Sequence, residues 1–106
     1  ISGDDDLALS VVLAGGAGVI SVIGQAFPEQ FSKMIKLGLE GKAKEAYDIH
    51  FKLMDAISAI FEENNPAGIK GVLEALKLCK DTVRLPLVPA SDVLKAKIKK
   101  IVKEMK

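Results

Sequence analysis

The sequence predicts an α/β protein, represented by one repeat of helix, glycine turn, buried strand, loop and helix, with at least three more helices after it. The chain itself is therefore expected to be predominantly α-helical. Three observations carry this expectation. Gly15, Gly16 and Gly18 place three glycines in four positions, which no helix holds against the backbone entropy they release. Val19-Ile20-Ser21-Val22-Ile23 follows, β-branched at four of five positions and apolar on both alternating faces, as a strand covered on both sides requires. From Pro28 onward apolar residues recur at spacings of three and four.

At 106 residues the chain makes at most one domain, and 49% apolar with 27% charged residues is a globular composition. A net charge of +1 gives no reason to expect nucleic acid as a partner. The lone cysteine, Cys79, has no second thiol for a disulfide or a metal cluster and fits a reducing, cytoplasmic setting. Ile1 is not a start methionine and no basic region precedes the first apolar run, so the chain reads as the end of a larger protein. A lone strand points the same way, because a parallel sheet needs sister strands.

Ser2-Gly3-Asp4-Asp5-Asp6 offers N-cap acceptors and acidic charge to a short helix over residues 7–14, which Gly15 ends through a left-handed residue. No charged side chain occurs between Leu7 and Pro28, but four glycines, Gln25 and Pro28 interrupt the run and argue against a membrane span. The strand is expected at 19–23, with Pro28 in the first turn of a helix over 28–40 that buries Phe31, Met34, Ile35 and Gly38 and is capped by Gly41. A long helix over 42–63 carries Ala43, Tyr47, His50, Met54, Ile57 and Phe61 on one stripe, widened by Ala46, Ile49, Leu53 and Ile60. Asn65-Pro66 opens the next helix as N-cap and N1, with Ile69, Val72, Leu73, Leu76 and Cys79 facing inward, and Gly68 and Gly71 suggest a close helix crossing. Pro86 and Pro89 make residues 80–90 a connection with Leu85 and Val88 extended. Ser91-Asp92 caps a last helix with Leu94, Ile98, Ile101, Val102 and Met105 on its apolar side. Lys95, Lys97, Lys99, Lys100, Lys103 and Lys106 lie on its other side, read as a solvated face, with an anionic surface as the alternative partner.

Little here suggests catalytic side chains. His50 and Tyr47 sit on the apolar stripe of the long helix, where a packed role is favoured. Asp4, Asp5 and Asp6 are consecutive, point in different directions and supply no full oxygen shell, so capping is preferred to metal binding. The Gly16-x-Gly18 element precedes a strand and lacks the helix N-terminus through which glycine loops hold phosphate.

Four segments nonetheless carry a resemblance when taken in register: Ser2-Gly3-Asp4-Asp5, Gly15-Gly16-x-Gly18-Val19-Ile20-Ser21-Val22, Asn65-Pro66-x-x-Ile69-Lys70 and Arg84-Leu85-Pro86-Leu87-Val88-Pro89. Together they resemble the C-terminal third of the dihydrodipicolinate synthase family, pyruvate-dependent class I aldolases that also include N-acetylneuraminate lyase. The resemblance covers essentially the whole chain, and the Arg84-Leu85-Pro86 segment favours the synthase branch. It departs from the family at Gly68, where a second proline is usual, and at Gly24-Gln25-Ala26-Phe27 in the loop after the strand.

The resemblance implies a parent TIM (β/α)8 barrel, with residues 1–41 as its end (end of strand seven, helix seven, strand eight, helix eight) and 42–106 as a helical C-terminal extension. It implies a lyase of diaminopimelate and lysine biosynthesis. A strand-six lysine forms a Schiff base with pyruvate, and the enamine then condenses with aspartate semialdehyde. That lysine, the proton-shuttling tyrosine and the arginine for the second substrate all fall upstream of Ile1, so no catalytic residue is expected here and the isolated chain should be inactive. By carry-over, Gly3 and Ile20 match positions whose backbone borders the pyruvate pocket. No cofactor and no metal are implied; the expected partners are pyruvate, aspartate semialdehyde and further copies in a homo-oligomer, with no nucleic acid and no membrane. A free-standing helical interaction module and a lyase of the N-acetylneuraminate type are the alternatives. Taken by itself, the chain is expected to self-associate through the apolar stretch 7–23, with rearrangement of residues 1–27.

Overall fold

A computed structural model describes residues 1–105. Its helices are α1 (Ala8–Leu13), α2 (Pro28–Leu39), α3 (Ala43–Glu62), α4 (Ala67–Ala75) and α5 (Asp92–Met105), with one 3-10 turn at Ile23–Gln25. Lys106, the last of the expected lysine face, lies outside the described residues. The chain falls into two compact units, Ile1–Met54 and Asp55–Lys106, and α3 contributes its first part to one and its last turns to the other.

In the first unit, the expected strand at 19–23 does not form. Among the described residues there is only an isolated parallel pairing of Ser2 with Val19, in which Ser2 N–H donates to Gly18 O and Ile20 N–H donates to Ser2 O, both at 2.9 Å. The physical reason is the fate of the next two donors. Val22 and Ile23 give their N–H groups to the Asp5 carboxylate, and the backbone bends there into the 3-10 turn instead of continuing extended. Ile20 is 76% exposed, which corrects the expectation of burial on both faces.

The acidic segment behaves differently too. The residue before α1 is Leu7, without a side-chain cap, so Asp4–Asp6 do not cap this helix as expected. Its other end follows the sequence: Gly16 N–H reaches Val11 O at 2.8 Å, Gly15 N–H reaches Val12 O at 3.1 Å, and Gly15 takes a φ of 110°. Pro28 is the first residue of α2, and Gly41, with φ 77°, ends it by the same double bond pattern from Gly41 to Gly38 and Lys42 to Leu37. Ala8, Leu9 and Val12 of α1 pack on α2, where a Cβ on Gly38 would come within 2.8 Å of Leu9 Cδ1. Ile23, Phe27, Phe31, Met34 and Leu53 are the other large apolar residues buried in this unit.

The second unit packs α4 against α5, with Ile69 and Val72 facing inward from one and Leu94, Ile98 and Val102 from the other. Ala56, Ile57, Ala59 and Ile60 supply the buried side of the last turns of α3, while Phe61, expected on that stripe, is 42% exposed. Gly68 lies directly on the backbone of Ile60, which is the close crossing the glycine anticipated.

The start of α4 is one residue later than expected. Pro66 occupies the cap position after a cis Asn65–Pro66 peptide, with no side-chain cap, and α4 ends at Ala75, so Cys79 is exposed rather than inward. Leu76 is half-buried. Asn64, at φ 77°, takes the left-handed position after α3. At the far end, Ser91 does cap α5: its Oγ accepts from Leu94 N–H at 3.2 Å, and Glu63 Oε1 receives Ser91 N–H at 2.8 Å. The Ser91 hydroxyl also donates to Glu63 Oε2, and this bond together with that from Ser91 N–H holds the Glu63 carboxyl below its ordinary value of 4.5, so the stability they lend is present above that value and is lost as pH falls through the depressed one.

Lys77 ends α4 at φ 62°, with Lys77 N–H on Glu74 O and Leu78 N–H on Leu73 O. A side chain in this left-handed position costs about 1–2 kcal/mol, which glycine avoids. Lys77→Gly is therefore expected to stabilise the second unit by about 1 kcal/mol once the greater freedom of glycine in the unfolded chain is subtracted. A rise in the urea midpoint with unchanged slope would show it; a lower midpoint would count against the assignment.

Candidate substrate-facing site

The pairing of Ser2 with Val19 sets Gly3 and Ile20, the two carried-over positions, side by side at one edge of the first unit. Gly3 is exposed, and a Cβ there would meet nothing within 4 Å. Its φ is not left-handed, so the local turn by itself does not demand glycine. Ile20 uses its N–H on Ser2 O, and among the described residues neither the Gly3 nor the Ile20 carbonyl accepts a hydrogen bond. Two carbonyls without an internal partner therefore belong to exposed residues on adjacent segments, and such groups can accept from a ligand or a water without giving up an internal bond.

What holds this edge in place is Asp5, the residue whose role sequence reasoning missed. Its side chain is almost fully buried (1% exposed) and accepts from Val22 N–H at 3.1 and 3.3 Å and from Ile23 N–H at 2.8 Å. The sequence alone carries no signal for this partnership, because the need for another acceptor arises only once the segment is seen to pair with a single residue. Asp4 and Asp6 differ from it. Asp4 is exposed, and its carboxyl is pushed above the usual value by the hydrogen bond that its protonated form donates to Asp6 and by the negative charge on Asp6. Ser21 Oγ takes Gly24 N–H at 2.9 Å and closes the turn.

His50 and Tyr47 form a small aromatic group with Phe51. Ring centroids are 5.4 Å apart for Tyr47–His50 and for His50–Phe51, and Tyr47 shares a 3.0 Å hydrogen bond with Ser10. His50 is 8% exposed, its Nδ1 has no partner, and burial lowers its pKa from the ordinary 6.5 against the opposing pull of Asp6. The unfolded chain therefore takes up this proton first as pH falls below 6.5, so the contribution of neutral His50 is full above that value and shrinks below it. Unfolding free energy measured from pH 8 to pH 5 is expected to decline, and His50→Leu should flatten the part of the decline below 6.5; an unchanged slope in the variant would refute this.

On α5, Lys97 pairs with Glu62 at 3.0 Å and Lys95 with Asp81, whose carboxyl the lysine holds below its ordinary value. Among the described residues no helix is long and apolar enough to cross a membrane, and no three His, Cys, Asp or Glu side chains gather as metal ligands.

A glycine-hinged segment pairing in parallel with a preceding segment, joined to it through one helix and followed by another, is an element of a parallel α/β architecture. The particular kind is fixed by comparison. The model of the dihydrodipicolinate synthetase family matches residues 1–105. The chain belongs to that family.

A 4-hydroxy-tetrahydrodipicolinate synthase of Flavobacterium psychrophilum is 49% identical over 99% of this chain, which covers 36% of that protein. Among solved structures, the dihydrodipicolinate synthase of Thermotoga maritima superposes with a TM-score of 0.94 at 34% identity, over 98% of this chain and 35% of that one. A chloride-inhibited dihydrodipicolinate synthase of Acinetobacter baumannii, complexed with pyruvate, gives 0.94 at 27% identity, over 98% and 36%. The fold class is thus that of the TIM-barrel synthases, and the chain spans about a third of the length of the relatives it matches.

Proposed function

We propose that these residues are the C-terminal third of a 4-hydroxy-tetrahydrodipicolinate synthase that condenses pyruvate with aspartate semialdehyde. Residues 1–41 close the barrel, and 42–106 form the helical extension. The reading is carried by the extent of the likeness, which spans residues 1–105. The same reading assigns the backbone carbonyls of Gly3 and Ile20, which the Ser2–Val19 pairing brings together, to the pyruvate pocket.

In this reading the chemistry begins when a lysine amine outside these residues attacks the ketone of pyruvate. Water leaves as the imine forms, loss of a methyl proton gives the enamine, and its carbon adds to the aldehyde of the second substrate. The part played by this chain is orientation. A carbonyl at Gly3 or Ile20 can receive a hydrogen bond from bound substrate or from a water beside it, while packing behind the segment holds the acceptors in place. The lone thiol, exposed and unpaired, suits a cytoplasmic enzyme, and the apolar side chain of Ile20, 76% exposed, suits a place against further protein.

The test is trapping of the complete enzyme with pyruvate and borohydride, followed by peptide mass mapping. One reduced adduct is expected on a lysine outside residues 1–106, and the 106-residue chain alone should keep its mass. An adduct on any lysine within it, or none in the complete enzyme, would overturn the proposal. Aspartate semialdehyde should outcompete a sugar aldehyde as acceptor; the reverse preference would favour the N-acetylneuraminate lyase branch. Sedimentation of the complete enzyme is expected to show a homo-oligomer.

A further inference from the structure

We infer that Asp5 is a positioning residue for the pyruvate pocket, acting through the backbone of residues 20–23 without touching substrate. The inference rests on the functional reading above and adds to it the device that aims the Ile20 carbonyl. The argument is geometric. Ile20 N–H is fixed on Ser2 O at 2.9 Å, and Val22 N–H is fixed on Asp5 at 3.1 Å. Only the Ile20–Ser21 and Ser21–Val22 peptides lie between these anchors, so the direction of the Ile20 carbonyl has little freedom while both hold. Asp5 also takes Ile23 N–H at 2.8 Å, and Ile23 is fully buried, which ties the clamp to the core instead of to a mobile loop. A carboxylate that is 1% exposed and turned toward the backbone has no face left for a substrate. Oδ2 accepts from both adjacent amides and Oδ1 from Val22 N–H at 3.3 Å, an arrangement whose charge and second acceptor a neutral or shorter side chain reproduces only in part.

Because Ser2 both pairs with this segment and precedes Gly3, the clamp and the pairing hold the two pocket acceptors as one unit. Loss of the clamp should therefore loosen Ile20 first and be felt in the binding of the small keto acid more than in the later condensation. A residue holding only the fold would instead lower stability and leave the kinetics of the folded enzyme alone.

The experiment uses the complete enzyme with Asp5→Asn, which keeps one acceptor oxygen but loses the charge and presents an amide NH2 beside Val22. Active sites are counted by borohydride trapping at saturating pyruvate. The KM for pyruvate is expected to rise roughly tenfold, with kcat per trapped site changing less than about threefold. Unchanged KM and kcat per site with only a lowered melting temperature would overturn the inference. Amide exchange on the unmodified enzyme keeps it testable if the variant fails to fold. Val22 and Ile23 should exchange at least roughly a hundredfold more slowly than Ser21 even without pyruvate, and equal rates would refute the clamp. Failure of the functional reading is distinguishable, because the unmodified enzyme would then form no pyruvate adduct at all.

Discussion

Gly68→Ala is expected to unfold much of the second unit. A Cβ at this position would lie 2.1 Å from Ile60 O and 2.6 Å from Ile60 Cα, contacts that no real Cβ makes. The obstacle is backbone within the last turns of α3, so no rotamer change relieves it, and α4 must move off α3 or its first turn must unwind. In an open helix the same change would gain about 1 kcal/mol. Here the separation of two packed helices should outweigh that gain and cost about 3 kcal/mol or more, by overpacking and by loss of the contacts around Ile60, Ile69 and Val72. Denaturant unfolding with Gly71→Ala as the reference decides it: a Cβ on Gly71 would meet the movable end of Ile98 at 3.2 Å and Ala90 Cβ at an ordinary 4.0 Å, so its substitution should cost far less. Equal effects at the two glycines would show that α4 does not press on α3 as described.

Asp5→Ala is expected to destabilise the first unit by about 3 kcal/mol. It strands the amides of Val22 and Ile23, and the second is buried beyond the reach of water. A hydrogen bond to a charged group is worth about 1.5–3 kcal/mol, and an orphaned buried donor costs about 1–3 kcal/mol. Part of the loss is offset because a buried carboxylate no longer has to be desolvated. The companion Asp6→Ala should change stability by less than about 0.5 kcal/mol, since Asp6 is exposed and serves no backbone donor. Thermal unfolding followed by circular dichroism measures both. If the two aspartates proved equivalent, the distinction between a buried clamp and an exposed neighbour would fail.

These two residues also mark how far the sequence could be read. Gly68 was legible as a sign of close helix approach, because a helix-breaking residue inside a periodic apolar pattern has few other uses. Which backbone it approached was not, since one-dimensional spacing carries no partner. Asp5 was misread for a related reason. Three consecutive carboxylates before a helix suggest capping, yet the unmet donors were seventeen and eighteen residues away, after the glycine hinge. The same distant pairing decided the strand: β-branched residues at 19–23 have the local preference, but extension persists only where a neighbour accepts the amides, and here one pairing with Ser2 was followed by a carboxylate. Lys77 and Asn64 show the limit from the other side, since left-handed helix ends at non-glycine residues leave little trace in composition.

Residue order by itself determined the helical periods, the glycine and proline punctuation at Gly15, Pro28 and Gly41, and the register of motifs that places the chain in its family, because these depend on each residue and its near neighbours. Tertiary structure alone decided that Asp5 serves distant amides, that Ile20 stands exposed beside Gly3, and that Gly68 meets Ile60. Each of these is a meeting of groups far apart in the chain, and the rule that every buried donor must find an acceptor can be satisfied only after the chain has closed on itself.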